Sequence, residues 1–188
     1  MRYMRLTIAL VILFNLSAFQ GILNAQKMVK FTDYTMTIEG TSSLHDWVSE
    51  VEKVEGKAIL IEENEKLTDI TSLELKIEVE GIQSGKGIMD KKTYKALDSE
   101  NHPYITFKAE NLKTITPSTM EVSGKLTIAG KTNTIDLTVA YTYANGTLTA
   151  NGKIPLKMTD FGIAPPKAMM GTLKTGDDIT IVYNVTLK

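Results

Sequence analysis

Leu73-Glu74-Leu75-Lys76-Ile77-Glu78-Val79-Glu80 is the stretch that decides the fold, because apolar and charged residues alternate in it without exception. Successive side chains of an extended strand point to opposite faces, so the four apolar residues share one face and the four charged residues share the other. A slip of one residue in the pairing would bury all four charges. The stretch is therefore predicted to be a half-buried strand whose apolar face meets a core.

The same alternation recurs later in the chain, over residues 125–128, 135–143 and 179–187, with Val182 as the exception. Strands with one apolar and one polar face are typical of antiparallel sheets that form a sandwich or barrel. The pattern predicts eight strands, at about 29–39, 48–61, 69–80, 104–110, 119–129, 131–143, 146–158 and 177–187. Gly130 and Asn145-Gly146 predict tight turns between them.

Eight antiparallel strands can close into a barrel whose interior is either filled by side chains or just wide enough for one small ligand. Residues 87–97 have a helix-compatible composition. We therefore predict an all-β, eight-stranded antiparallel barrel with a short helix in the loop between strands three and four. In an up-and-down order, the three long links at 40–47, 81–103 and 159–176 would emerge at the same end, which indicates a mouth built from loops.

The N-terminal residues follow a different pattern from the sheet. Arg2 and Arg5 precede an apolar run over residues 6–16, and a small residue stands at Ala25. This order is typical of a secretory signal peptide, and the run is shorter than the roughly 20 residues that a membrane-spanning helix needs. We expect cleavage after Ala25, with Ala18 as the other candidate. Residues 1–25 would then be the signal peptide, and residues 26–188 one periplasmic or secreted domain that does not span a membrane.

Composition excludes several classes of function. The chain contains no cysteine, so disulfides and thiolate metal sites are excluded. His45 and His102 are the only histidines, and neither lies in a motif with the three or four ligands that a metal needs. Removal of residues 1–25 changes the net charge from −1 to −3, and this weak acidity gives no reason to expect nucleic-acid binding. No cofactor or metal site is predicted.

His45 and Asp46 are the residues best suited to catalysis, as an oriented base beside a carboxylate. Ser42 and Ser43 stand next to them, but hydrolytic triads are assembled from separated segments of the chain. The sequence also lacks a Gly-x-Ser-x-Gly elbow. An enzyme that acts on a lipid ester or amide at His45-Asp46 is therefore the least favoured hypothesis, and no catalytic residue is assigned.

Strand phase selects the side chains that would line a ligand cavity. The inward-facing candidates are Leu75, Ile77, Phe107, Leu126, Ile128, Leu137, Val139, Ile181 and Tyr183, with Trp47 and Phe161 near one end. Alternation does not distinguish an open interior from one that these same side chains fill. Trp47 fits a core plug and a platform for a ligand equally well.

Five segments together resemble the YceI-like family of secreted, lipocalin-like polyisoprenoid-binding proteins. They are GTSSLHDW at 40–47, HPYITF at 102–107, VSGKLTIAG at 122–130, DFGI at 160–163 and GTLKTGDDITI at 171–181. Each is short, and it is their order and spacing over nearly the whole mature chain that is specific. The resemblance implies an eight-stranded barrel that binds a long isoprenoid or similar lipid in its interior without catalysis.

Two hypotheses of function follow from these observations. The first is a periplasmic binding protein whose ligand is an isoprenoid or other long-chain lipid, such as a quinone, an isoprenyl phosphate or a fatty acyl compound. The second is an envelope stress or interaction protein with a packed barrel that acts through its rim loops. A homodimer is compatible with both. A continuous apolar cavity would favour the first hypothesis, and a filled interior would favour the second.

Overall fold

A computed structural model describes residues 25–168 and 172–188. Their elements, in chain order, are β1 (Ala25–Ser42), β2 (Trp47–Val51), β3 (Val54–Glu63), β4 (Lys66–Glu78), β5 (Ile82–Gln83), α1 (Gly87–Ala96), β6 (Tyr104–Ile115), β7 (Thr119–Ile128), β8 (Lys131–Ala144), β9 (Thr147–Lys157), β10 (Lys167–Ala168) and β11 (Leu173–Leu187). The predicted signal peptide lies almost wholly outside the described residues and stays a prediction. Among the described residues, no helix is long and apolar enough to cross a membrane.

The long strands close into one antiparallel barrel. Neighbours around the ring are β1, β3, β4, β6, β7, β8, β9 and β11, and the pairing of β11 with β1 completes the circle. Phe31 lies opposite Leu187 at one end of that closing pair, and Ser42 lies opposite Thr175 at the other. The predicted all-β, eight-stranded antiparallel barrel is confirmed.

The second predicted strand, at 48–61, is interrupted and forms β2 and β3. Val51 and Val54 are both buried although three positions separate them, and strict alternation cannot bury both. The chain therefore breaks its alternation at Glu52 and Lys53, where the Tyr34 hydroxyl donates to the Glu52 carbonyl at 2.6 Å and accepts from the Val54 amide at 3.2 Å. β3 pairs with the start of β1, and β2 pairs with its end.

The short helix is present, but its predicted place in the strand order is wrong. α1 covers Gly87–Ala96 and follows β5, not the third strand of the structure. The count differs because the second predicted strand is split and because Ile82–Gln83 adds a two-residue strand that pairs with β2. By residue number, α1 lies within the segment 87–97 that sequence composition singled out.

Aromatic rings fill the barrel interior at the level of three inward-facing glycines. A β-carbon on Gly124 would lie 2.5 Å from Phe107 Cζ, one on Gly152 would lie 2.6 Å from the Tyr183 hydroxyl, and one on Gly56 would lie 2.4 Å from the ring of Phe31. The rings therefore occupy the space that side chains at those glycines would otherwise take. Together with buried aliphatic residues such as Leu60 and Val29 they make this part of the interior a packed core.

Candidate functional site

The other end of the barrel holds an apolar cavity of about 630 Å³ that opens at the rim. Its wall is formed partly by inward-facing residues of the barrel strands, namely Ile38, Trp47, Ser49, Ile105, Ile128, Ile179 and Ile181. These side chains point into the barrel because every second residue of a strand faces the same side of the sheet. The cavity is therefore continuous with the core and is not a groove on the outer surface.

The three long links complete the wall, as the up-and-down arrangement predicts. The first link contributes Ser42, Leu44 and His45. The second, with α1, contributes Ile82, Lys86, Gly87, Ile88, Met89, Lys92, Thr93, Ala96 and Leu97. The third, with the ends of β9 and β11, contributes Lys157, Met158, Phe161, Ile163, Pro166, Lys167, Leu173, Lys174 and Thr175. The links thus cover one end of the barrel and leave an opening between them.

Four of the eleven predicted lining residues lie in this wall: Trp47, Ile128, Phe161 and Ile181. The other seven lie outside it: Leu75, Ile77, Phe107, Leu126, Leu137, Val139 and Tyr183. All seven belong to the packed core, where they are buried or packed against buried neighbours. Contact of any of the eleven with a ligand stays a prediction.

The floor of the cavity falls between successive inward positions on the same strands. On β6 Ile105 belongs to the wall and Phe107, two residues further, belongs to the core. On β11 Ile181 belongs to the wall and Tyr183 to the core. On β7, likewise, Ile128 belongs to the wall and Leu126 belongs to the core. The cavity ends where the rings of Phe107 and Tyr183 begin, because those rings cover the inward glycines Gly124 and Gly152 of the neighbouring strands and belong to the packed core.

Trp47, the only tryptophan of the chain, stands in the wall at the rim. Its ring lies against Gly40 on the neighbouring strand β1, where a β-carbon would come within 2.3 Å of Cζ2. Its indole Nε1 donates to the Thr41 carbonyl at 3.0 Å. The contact with Gly40 and the hydrogen bond to Thr41 therefore position the ring, and another part of the ring borders the cavity. The fluorescence of Trp47 is therefore a suitable signal for ligand binding in the cavity.

His45 and Asp46 do not form a histidine–carboxylate pair. The ring Nδ1 of His45 lies 2.6 Å from the backbone carbonyl oxygen of Asp46, and a carbonyl can only accept, so Nδ1–H donates to the backbone. The Ser42 hydroxyl accepts from the His45 amide and donates to the His45 carbonyl, which fixes the turn. Within residues 25–168 and 172–188, no group of three or more His, Asp or Glu side chains is placed to hold a metal ion.

Comparison with known protein families identifies this barrel. The YceI-like domain matches residues 22–187, which is nearly the whole chain. The chain belongs to the YceI-like domain family. The family that the five sequence segments resemble is thereby confirmed.

Solved structures share the architecture of this YceI-like domain. BcnA from Burkholderia cenocepacia matches with a TM-score of 0.68 at 18% identity, over 81% of this chain and 95% of that chain. A polyisoprenoid binding domain from Saccharophagus degradans, implicated in plant cell wall breakdown, matches with a TM-score of 0.67 at 10% identity, over 87% and 99%. The YCEI protein of Campylobacter jejuni matches with a TM-score of 0.54 at 18% identity, over 84% and 82%. At these identities the likeness shows the fold alone. A comparison with curated proteins found no match.

The charged residues in the wall of the YceI-like cavity are all lysines. They are Lys86, Lys92, Lys157, Lys167 and Lys174. All except Lys92 are exposed. Lys157 pairs with Asp178 at 2.7 Å, and this hydrogen bond raises the pKa of the lysine. Lys92 Nζ donates to the Lys167 carbonyl at 3.2 Å and so ties α1 to β10 across the rim.

Burial also affects one tyrosine beneath the cavity floor. Loss of contact with water raises the pKa of Tyr183 to about 12, because the charged phenolate is disfavoured in an apolar interior. The hydroxyl is therefore neutral at any physiological pH. Tyr183 is therefore part of the packed core beneath the cavity and does not act as an acid or base.

Sequence reasoning missed most of the wall that the links contribute, including Leu44, Ile163 and Leu173. The lengths of the three links pointed to the correct end of the barrel. They did not indicate which link side chains turn inward, because a link has no fixed period. Met169 and Met170, in the third link, lie outside the described residues.

Proposed function

We propose that this YceI-like protein is a non-catalytic binding protein that holds a long-chain isoprenoid or similar lipid in the barrel cavity. The observation that carries the proposal is the apolar cavity of about 630 Å³ at the rim of the barrel. Ligand cavities in proteins are roughly 300–1,000 Å³ and are lined mainly by apolar side chains. The Saccharophagus degradans structure of the same fold is described as a polyisoprenoid binding domain, which supports the same class of ligand.

Burial of the tail would supply most of the binding free energy. Each CH₂ group moved from water into an apolar cavity contributes about 0.8 kcal/mol. The floor formed by Phe107 and Tyr183 limits how deep the tail can go. A tail therefore occupies the rim half of the barrel, and a long one folds back or extends through the mouth.

The alternative of a packed barrel that acts only through its rim loops is less well supported. It requires a filled interior, and the interior is filled only below the level of Phe107 and Tyr183. Catalysis at His45 is disfavoured because its ring Nδ1 is hydrogen-bonded to the backbone carbonyl of Asp46 and not to a carboxylate. A periplasmic or secreted location is part of the proposal and is supported by the N-terminal sequence pattern.

Extraction of the purified protein with organic solvent, followed by lipid mass spectrometry, tests the proposal. We expect a long-chain lipid to be recovered in a roughly equimolar amount. Ile181→Phe, which places a ring in the cavity, should reduce that amount. Val182→Phe, one position along β11 and facing outward, is the matched control and should not. Absence of lipid from the wild type, together with no binding on titration, would show that the cavity does not serve as a carrier site.

Two further measurements test the other parts of the proposal. Bound lipid should be recovered chemically unchanged after prolonged incubation; cleavage that disappears in His45→Ala would show an enzyme instead. Fractionation of expressing cells should place the protein outside the cytoplasm with Gln26 as its N-terminal residue. Retention of the full-length chain in the cytoplasm would contradict the proposed location.

A further inference from the structure

We infer that the ligand of this cavity carries an anionic headgroup, a phosphate or a carboxylate, which the lysines at the mouth bind. This inference rests on the proposed lipid-binding function and narrows its ligand class. An uncharged lipid such as a quinone or a prenol would fit the apolar part of the cavity equally well. The observation that separates these classes is the sign of the charge around the opening.

The distribution of charge in the cavity wall is one-sided. The chain as a whole carries 21 basic and 22 acidic residues, yet the wall contains five lysines and no Asp or Glu. All 22 acidic residues lie in the segments that the structure describes. No undescribed residue could therefore add a carboxylate to this wall. Such a wall has a positive potential that attracts an anion.

Three of the five lysines have no carboxylate partner within the described structure. The ion pairs found there do not include Lys86, Lys167 or Lys174. Lys157 is paired with Asp178, and Lys92 already donates to a backbone carbonyl. Three exposed lysines of the wall therefore remain without an ion pair among the described residues.

Two acidic side chains near wall residues in the sequence accept hydrogen bonds from neutral groups. Asp90, on α1, is buried, and its Oδ1 accepts from both the amide and the hydroxyl of Ser84. Asp177, beside Asp178, accepts from the amide and hydroxyl of Thr159. Neither carboxylate belongs to the cavity wall. The carboxylates of Asp178, Asp177 and Asp160 all raise the pKa of Lys157, with Asp178 the largest cause, so they reduce the positive charge around that lysine.

Polarity changes along the cavity in the order that an anionic amphiphile requires. The inner wall is built from isoleucines, among them Ile38, Ile105 and Ile128. The lysines stand on the links, at the exposed end. A tail in the isoleucine region would place its headgroup among the lysines. Lysine ammonium groups on flexible stems suit this role because they can follow a phosphate or carboxylate as point charges.

A pair of ligands with identical tails tests the inference. Geranylgeranyl phosphate and geranylgeraniol differ only in the charged group, and the fluorescence of Trp47 can report both because the ring lies in the wall. In delipidated protein we expect the phosphate to bind about tenfold more tightly or more, since exposed ion pairs are individually weak but three act together. Added salt should weaken binding of the phosphate and leave binding of the alcohol nearly unaffected. Inorganic phosphate alone should bind much more weakly than the prenyl phosphate.

Two triple variants separate a specific effect from a general charge effect. Lys86→Gln with Lys167→Gln and Lys174→Gln should abolish the preference for the phosphate over the alcohol. Lys30→Gln with Lys66→Gln and Lys153→Gln removes the same charge from exposed positions outside the cavity wall, and should preserve the preference.

The outcomes separate this inference from the proposed function. Equal affinities for the phosphate and the alcohol in the wild type, or a preference that survives the first triple variant, would overturn the anionic headgroup and leave the lipid carrier intact. Binding of neither ligand would overturn both. Inorganic phosphate that binds as tightly as the prenyl phosphate would show a site for a free anion, and would also overturn the inference.

Discussion

The two ends of the barrel are built by the same strands and the same alternation, yet one end is packed and the other is open. At the packed end, the rings of Phe107, Tyr183 and Phe31 lie against inward glycines. At the open end, the inward positions hold isoleucines, and Trp47 is held to one side against Gly40. The comparison teaches that an eight-stranded barrel contains a cavity only where its inward side chains are too short to meet across it.

The largest expected effect comes from a matched pair of isoleucines, one in the packed core and one in the cavity wall. Ile77→Ala, in the packed core, should destabilise the fold by roughly 2–5 kcal/mol, because Ile77 is buried among core neighbours and its loss leaves a void. Ile181→Ala, in the cavity wall, should cost less stability, because one side of Ile181 has no protein atoms to lose, and should weaken lipid binding several-fold. Urea unfolding and lipid titration measure the two quantities. Equal stability losses would mean that the cavity is closed in solution.

The packed end should also be sensitive to high pH through Tyr183. The pKa of this residue is about 12 in the folded state and about 10 in an unfolded chain. Below pH 10 both states keep the proton, so the contribution of Tyr183 is fully present. Between pH 10 and 12 only the unfolded state loses it, so stability falls as pH rises, by up to about 3 kcal/mol.

Urea unfolding of the wild type and Tyr183→Phe at pH 9 and near pH 12 measures this contribution. The variant lacks the ionisable group, and other tyrosines titrate equally in both proteins. We expect the wild type to lose more stability than the variant over this interval. A loss of the same size in both would show that Tyr183 is accessible to water, and hence that the floor of the cavity is not sealed.

Alternation predicted the face of each side chain but not its depth along the barrel axis. Ile105 and Phe107 both face inward, and both belong to one uninterrupted strand. Their different surroundings depend on Gly124, a residue of the neighbouring strand that pairs with Ala109. This pairing is a tertiary feature with no local signal. The closed barrel was therefore predictable from the sequence, whereas the position of the cavity floor was not.

The same reasoning explains why the lysines of the mouth were not assigned as a group. Lys86 lies before α1, Lys157 ends β9 and Lys174 lies near the start of β11. The pairing of β9 with β11 brings Lys157 and Lys174 to one rim. Lys86 is far from both in the sequence, and its segment reaches that rim through β5, β2 and β1 and the closure of the barrel by β1 and β11. Each lysine alone reads as an ordinary solvated residue.

Gly124→Ala tests the packed end directly by adding one methyl group. The new β-carbon would lie 2.5 Å from Phe107 Cζ and 2.7 Å from the Lys108 carbonyl oxygen. The backbone oxygen cannot move away, so the substitution should destabilise the fold by roughly 1–3 kcal/mol. Gly87→Ala, at the start of α1 and with nothing within 4 Å of the added carbon, is the control and should be close to neutral in urea unfolding. A neutral Gly124→Ala would mean that the Phe107 ring does not fill the barrel.

The smallest stability effect is expected from Gly40→Ala at the open end, although its β-carbon would lie even closer to an aromatic ring, 2.3 Å from Trp47 Cζ2. This ring borders the cavity and has space into which it can move. The cost should be about 1 kcal/mol, near that of the Nε1 hydrogen bond to the Thr41 carbonyl that the movement would stretch. The displaced ring should occupy part of the cavity, shift the fluorescence emission of the protein and reduce lipid affinity. A loss of stability as large as that of Gly124→Ala, with unchanged emission, would show that Trp47 is packed as tightly as Phe107 and that the two ends of the barrel do not differ in the way the structure indicates.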